Sequence, residues 1–131
     1  MKEREMCELG AEWAERLGLC DWCISCVIFD SESEIGELGH SDCDFESKTC
    51  VISLYSVPKN DYFNVIEEET LIHELLHCKY PISYDSGSYE SVICASLQHQ
   101  VLNDMARALY MAKYGLTLKE YKDRIIKRGA N

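Results

Sequence analysis

Long apolar runs are missing from this sequence. No stretch approaches the roughly twenty consecutive apolar residues that a membrane-spanning helix needs. Basic residues are also scarce: 13 Lys and Arg stand against 23 Asp and Glu, for a net charge of −10 and a pI near 4.8. That balance argues against non-specific binding to DNA, RNA or an anionic membrane, and it would draw in cationic peptides. Proline occurs only at Pro58 and Pro81, each at a point where a predicted element stops. The opening residues lead into an acidic helix rather than an apolar signal core, so the expected location is the cytoplasm. Neither an internal repeat nor a composition shift divides the chain. The 131 residues read as a single domain, 1–131, long enough to bury a core.

Histidine is rare too, yet two of the four fall together in Thr70-Leu71-Ile72-His73-Glu74-Leu75-Leu76-His77. On a helix, a spacing of four stacks His73 over His77 on one face. Two neutral imidazoles so placed can hold one zinc ion from the same side. Glu74 follows the first of them and is suited to take a proton from zinc-activated water. The alternative is an amphipathic core helix carrying two histidines by accident. Ile66, Ile72, Leu75 and Leu76 make the segment strongly apolar, and buried imidazoles there need polar partners or a metal.

Cysteine is abundant, with eight residues, and is densest at Cys20, Cys23 and Cys26. A disulfide framework needs an oxidising compartment. A second zinc or iron–sulfur site would use Cys20, Cys23 and Cys26 with Cys43 or Cys50 as a distant ligand. Free thiols acting as small apolar side chains are the simplest reading. Residues 22–29 favour that reading, because they have the composition of a strand rather than of a tight metal knuckle.

In chain order, Met6, Leu9, Trp13 and Leu17 recur at helical spacing over residues 4–18, and Gly18 is a stop. A strand follows at 22–30. Residues 31–41 read as a polar loop with His40 solvated in it, and 42–46 as a short strand or turn arm. Residues 49–57 alternate, with Val51, Ser53, Tyr55 and Val57 on one face and Cys50, Ile52, Leu54 and Ser56 on the other. Asn64 and Glu67 form a capping box for the motif helix, with Glu67, Glu68 and Glu69 serving its dipole. A long helix from about Ser88 to Tyr114 ends at Gly115, with Ile93, Leu97, Val101, Met105 and Leu109 as its apolar stripe and Leu102 and Ala106 widening it. Thr117 with Glu120 opens a last helix to about Arg128.

A catalytic zinc site needs a third protein ligand and an open position. Glu90, at the start of the long helix on the side of Cys94, Leu97 and Val101, is the preferred candidate. His99 is the alternative. Nine helical steps place these two on opposite faces, so both cannot ligate one ion. Gln98 is a possible orienting group, and Cys78 and Cys94 are more distant ligand candidates. Tyr80, Tyr84 and Tyr89 lie near enough to stabilise an oxyanion.

Two strands, a helix reading Glu-Glu-Glu-Thr-Leu-Ile-His-Glu-Leu-Leu-His, and a helix carrying Asn103-Asp104-Met105-Ala106-Arg107-Ala108-Leu109 together resemble small zincin-type metallopeptidases. The likeness is to the minimal gluzincin-like proteins encoded by bacteria and their phages, and it spans roughly residues 10–115. It implies one zinc ion on His73 and His77, Glu74 as general base, a glutamate third ligand on the following helix, and 49–57 as the edge strand along which an extended peptide lies.

The expected fold is α+β: a small, mostly antiparallel sheet packed with an N-terminal helix, the motif helix and the long downstream helix. The expected function is zinc-dependent hydrolysis of peptide or protein substrates. Two rivals remain at this stage, a zinc-binding regulatory or interaction module without turnover and a hydrolase of non-peptide substrates.

Overall fold

The computed structural model describes residues 3–56, 66–83, 85 and 87–129. Its first helix, α1 (Glu3–Arg16), buries Met6 and Trp13, two of the residues whose helical spacing predicts it. Gly10 lies between them on the same face. A Cβ there would stand 3.0 Å from Cys26 Sγ, so α1 sits close on the first strand because this position is glycine. Gly18, at φ +73°, ends the element.

Three strands follow: β1 (Cys23–Ile28), β2 (Gly39–Asp44) and β3 (Thr49–Leu54). Their order in the sheet is β1-β3-β2. β1 runs parallel to β3, and β2 runs antiparallel to it. The sheet is therefore mixed rather than mostly antiparallel, and β3 is its centre rather than its edge. The cause lies in the β2–β3 hairpin. Asp44 Oδ1 accepts the backbone N–H groups of Glu46 and Ser47 at 3.0 and 3.2 Å, which turns the chain directly back. β2 then covers one side of β3, and β1 takes the other. His40 also departs from its expected loop, since β2 begins at Gly39. The alternation expected for β3 holds: Cys50, Ile52 and Leu54 are buried and Val51 is exposed.

Helix α2 (Glu67–Leu76) is the centre of the molecule. It packs against α1, β2, β3 and a second helix, α3 (Tyr89–Tyr114). Leu71, Ile72, Leu75 and Leu76 are all at most 1% exposed. Burial of such side chains contributes roughly 1.5–3 kcal/mol each, which fixes where α2 lies. Ile66 stands at its N-cap without a side-chain cap bond, and Glu67, Glu68 and Glu69 occupy the first turn. The expected cap, Asn64, lies outside the described residues.

Glu68 does more than serve the helix dipole. It is 7% exposed and accepts from Trp13 Nε1 at 2.9 Å, Lys113 Nζ at 2.6 Å and the Tyr114 hydroxyl at 2.5 Å. One carboxylate thereby joins α1, α2 and α3. Lys113 also donates to Glu12 at 2.9 Å. Burial alone would lower the Lys113 pKa, but its bonds to Glu68 and Glu12 outweigh that and hold it above the ordinary lysine range.

Helix α3 is capped by Ser88, whose hydroxyl accepts from Ser91 N, and ends at Gly115 in the left-handed region, φ +63°. Its buried face is the flank of the expected stripe, with Leu102 and Ala106 in the core and Met105 and Leu109 packed against it. Ala95, Leu102, Ala106 and Tyr110 are buried, whereas Ile93, Leu97 and Val101 are 40%, 55% and 56% exposed. The helix is rotated so that small residues and His99 face α2. The last helix, α4 (Leu118–Gly129), opens with the predicted capping box, in which Thr117 N donates to Glu120 Oε1 and Glu120 N to Thr117 Oγ1. Among the described residues no helix is long and apolar enough to cross a membrane.

Candidate metal centre

The floor of the site is the C-terminal end of α2. His73 and Glu74 lie in its last turns. His77 is the C-cap, its backbone N–H bonding back to Glu74 O and keeping the residue in the helical region. The helical register therefore carries through His77, and the two imidazoles converge with Nε2 atoms 3.2 Å apart. From α3 comes His99. Its ring centroid lies 5.6 Å from that of His73 and 5.0 Å from that of His77. Ligand nitrogens of all three histidines lie within 4.8 Å of one another.

Glu74 completes the cluster. Its Oε1 is 4.0 Å from His73 Nε2 and 3.9 Å from His77 Nε2. That places it beside the nitrogens without taking a ligand position of its own. Burial, reinforced by the negative charge of Glu37, pushes its pKa up to about 8. Burial also brings His73 down to about 4, with His99 adding to the effect and Asn103 opposing it. His77 falls to about 4 through burial and the neighbouring histidines His73, His99 and His40. The paired imidazoles are thus neutral near pH 7, the form that ligates metal.

Two buried polar atoms at the centre, His73 Nδ1 and Glu74 Oε2, have no hydrogen-bond partner among the described residues. Orphaned polar atoms of this kind are costly in a closed core. The water on a cation held by the Nε2 atoms would give Glu74 Oε2 its missing partner, while His73 Nδ1, the other nitrogen of a ligating ring, would need a partner of its own. Three imidazole nitrogens are a donor set that zinc accepts when it keeps an open position. Tetrahedral zinc at its usual distance from nitrogen would set ligand atoms about 3.3 Å apart, close to the 3.2 Å between His73 and His77. The residues present fit a metal ion.

Above the histidines opens a cleft of about 1050 Å³, walled on one side by residues 37–43 and on the other by α2 and α3. Gly39 explains how β2 comes so near. A Cβ there would stand 2.9 Å from Thr70 Cγ2 and 3.0 Å from Glu74 Cγ, so only glycine lets the strand lie directly over the motif helix.

Of the residues expected at the site, His73, Glu74, His77 and His99 are brought together. Glu90 is not. It is exposed in the first turn of α3 and belongs neither to the histidine cluster nor to the cleft wall. Gln98 and Cys94 are exposed as well, as are Tyr80 and Tyr89, and Tyr84 lies outside the described residues. Three wall residues escaped the sequence reading. Asn103 stands one turn beyond His99. Tyr121, from α4, donates its hydroxyl to Glu69 Oε2 at 2.6 Å. Glu37, 3.6 Å from His40 Nδ1, adds negative charge at the rim. Only Asn103 carried a usable signal, its i,i+4 relation to His99.

The Cys20, Cys23 and Cys26 group makes no metal cluster among the described residues. Cys23 and Cys26 fall on opposite faces of β1, one exposed and one buried. No family model matches the chain, and neither does any curated protein or solved structure.

Proposed function

We propose that this chain is a zinc-dependent peptide hydrolase in which His73, His77 and His99 hold the ion and Glu74 is the general base. The observation that carries the reading is the convergence of three imidazoles and one non-ligating carboxylate, about 4 Å away, on the floor of an open cleft. When bound, zinc supplies Lewis acidity: it lowers the pKa of water and polarises a carbonyl oxygen. The remaining work falls to the chain. Burial keeps Glu74 protonated in the metal-free site, and the charge of a bound ion would ionise it; its carboxylate then accepts the proton of the attacking water and passes it to the departing amine. Its buried position, in contact with the histidine nitrogens, keeps that proton out of bulk solvent.

The substrate is an extended peptide. Among the described residues β2 is an edge strand of the sheet, and its residues border the cleft, so backbone N–H and C=O groups there offer strand addition to a chain crossing above the histidines. This moves the substrate edge from residues 49–57, which the resemblance implies, to Gly39–Asp44. Glu37 and the overall acidity of the protein favour peptides with basic residues. Eight free cysteines suit a reducing compartment and so support the cytoplasm as the proposed location.

The test is cleavage of a mixed peptide library by zinc-loaded protein, with Glu74→Gln as the control. The wild type should cleave, and Glu74→Gln should keep its zinc while turnover falls about 10²–10⁴-fold. A zinc-loaded wild type that cleaves nothing, or a Glu74→Gln variant of equal activity, would overturn the proposal.

A further inference from the structure

A second cluster of metal-ligating side chains lies beside the histidine site and supplies none of its ligands. Cys43 and Cys50 are direct cross-strand partners in the β2–β3 pair, so their side chains project from the same face of the sheet. That face packs on α2. Cys78 arrives from the other side, in the turn that follows the helix. Cys43 Sγ stands 2.9 Å from Cys50 Sγ and 3.7 Å from Cys78 Sγ, and all three sulfurs lie within 4.8 Å of one another. Cys50 and Cys78 are buried, at 2% and 6% exposure. Cys43 is half-buried and lines the cleft.

Free cysteine in a core normally acts as a small apolar side chain, with its sulfur set among carbon atoms. Three sulfurs drawn together from two strands and a helix-end turn are a different arrangement. A thiol is a weak donor and a weak acceptor, so mutual hydrogen bonding gains little here. All three are free cysteines, so no disulfide accounts for the grouping, and the third sulfur would be surplus to one. A shared cation accounts for all three.

We propose that Cys43, Cys50 and Cys78 form a second metal site, which takes a thiophilic divalent cation, ordinarily Zn²⁺. Thiolate sulfur is the soft donor that selects such ions over magnesium or calcium. Binding releases three thiol protons for one divalent ion, leaving a single negative charge on the tris-thiolate unit. A monovalent ion would leave two in this half-buried place, in a protein already at −10. The fourth position falls on the cleft side, where Cys43 meets solvent and water can complete the shell. The ion would bind β2 and β3 to the turn after α2. That same turn carries His77, so the thiolate site also fixes one wall and one ligand of the histidine centre. The inference stands on its own donors and does not depend on peptide hydrolysis.

Cobalt separates the two sites, because only thiolate ligands give intense near-ultraviolet sulfur-to-cobalt charge-transfer absorption. Metal-free, reduced full-length protein titrated with Co²⁺ under anaerobic conditions should take up two equivalents and develop that band. His73→Ala/His77→Ala should keep one equivalent and the whole band. Cys50→Ser should keep one equivalent and lose the band, and Cys20→Ser/Cys23→Ser should match the wild type. Should Cys50→Ser fail to fold, alkylation of the wild type with and without Zn²⁺, mapped by mass spectrometry, gives the same reading: zinc should protect Cys43, Cys50 and Cys78. Uptake of one equivalent with no band, zinc-independent alkylation of these three, or a band lost with Cys20 and Cys23 would each overturn the proposal. The arms also separate this site from the histidine centre, since either can fail while the other holds.

Discussion

His73 and His99 stack nearly face to face, with ring centroids 5.6 Å apart and planes 13° from parallel, although one belongs to α2 and the other to α3. The arrangement depends on α3 crossing α2 at His99, and it leaves Glu90 exposed in the first turn of the same helix. Elemental analysis after dialysis against zinc should therefore find the histidine-bound ion lost from His73→Ala, His77→Ala and His99→Ala. It should find the ion kept in Glu90→Ala. Retention in His99→Ala together with loss in Glu90→Ala would return the third ligand to Glu90.

Gly39 gives a second prediction. The strand that walls the cleft passes so close to α2 that a methyl group at this position would meet Thr70 Cγ2 at 2.9 Å and Glu74 Cγ at 3.0 Å. Thr70 is on the helix and cannot retreat far, so Gly39→Ala must lift β2 or push Glu74 aside. Overpacking of this kind costs about 1–3 kcal/mol. Urea denaturation should show a loss in that range, and any hydrolytic activity should fall further than stability alone explains, because Glu74 moves. A Gly39→Ala protein of wild-type stability and activity would mean that β2 yields freely.

Much of this was legible in the chain because each signal was local. Gly18, Gly115 and the Thr117–Glu120 box mark helix ends through bonds and torsions spanning a few residues. The alternation of Cys50, Ile52 and Leu54 reports a buried face directly. What escaped depends on partners distant in sequence. Period-two alternation says which face of β3 is buried but not which strands flank it, so the parallel β1 pairing and the central place of β3 were hidden. On α3, Ile93, Leu97 and Val101 form a convincing apolar stripe. The helix turns inward the flank of that stripe, Leu102 and Ala106, together with Ala95, and the small alanines allow close approach to α2. Taking the side of Leu97 and Val101 as the inner face brought Glu90 forward ahead of His99. The Cys43, Cys50 and Cys78 cluster was invisible for the same reason: strand register and the end of a helix join its members.

A third prediction concerns Glu68, the carboxylate shared by Trp13, Lys113 and Tyr114. Lys113 is 10% exposed at its side chain and Glu68 is 8% exposed. Removing one partner of a buried ion pair strands the other, at a cost of about 3–5 kcal/mol. Glu68→Ala should lose stability in that range by thermal or urea unfolding. Glu12→Ala should lose much less, because Glu12 is 39% exposed at its side chain and Lys113 would keep its bond to Glu68. Equal losses would show that Glu68 is no hub.

The metal-free protein should have a stability maximum set by its own site. His73 and His77 drop from an ordinary 6.5 to about 4 on folding. Between those values the unfolded chain binds more protons, so their contribution rises with pH. Glu74 moves the other way, from 4.5 to about 8. Between those values the folded chain holds the extra proton, and stability falls with pH. From pH 4.5 to 6.5 two histidines oppose one glutamate, for a net rise of about 1.4 kcal/mol per pH unit. Of these three groups Glu74 alone contributes from pH 6.5 to 8, and its slope reverses with the same magnitude. Urea unfolding of chelator-treated protein across this range should thus peak near pH 6.5. Glutamine does not titrate, so Glu74→Gln should abolish the falling limb and steepen the rising one. A falling limb that survives in Glu74→Gln would assign the proton to another group and remove Glu74 from the role of a buried, protonated acid.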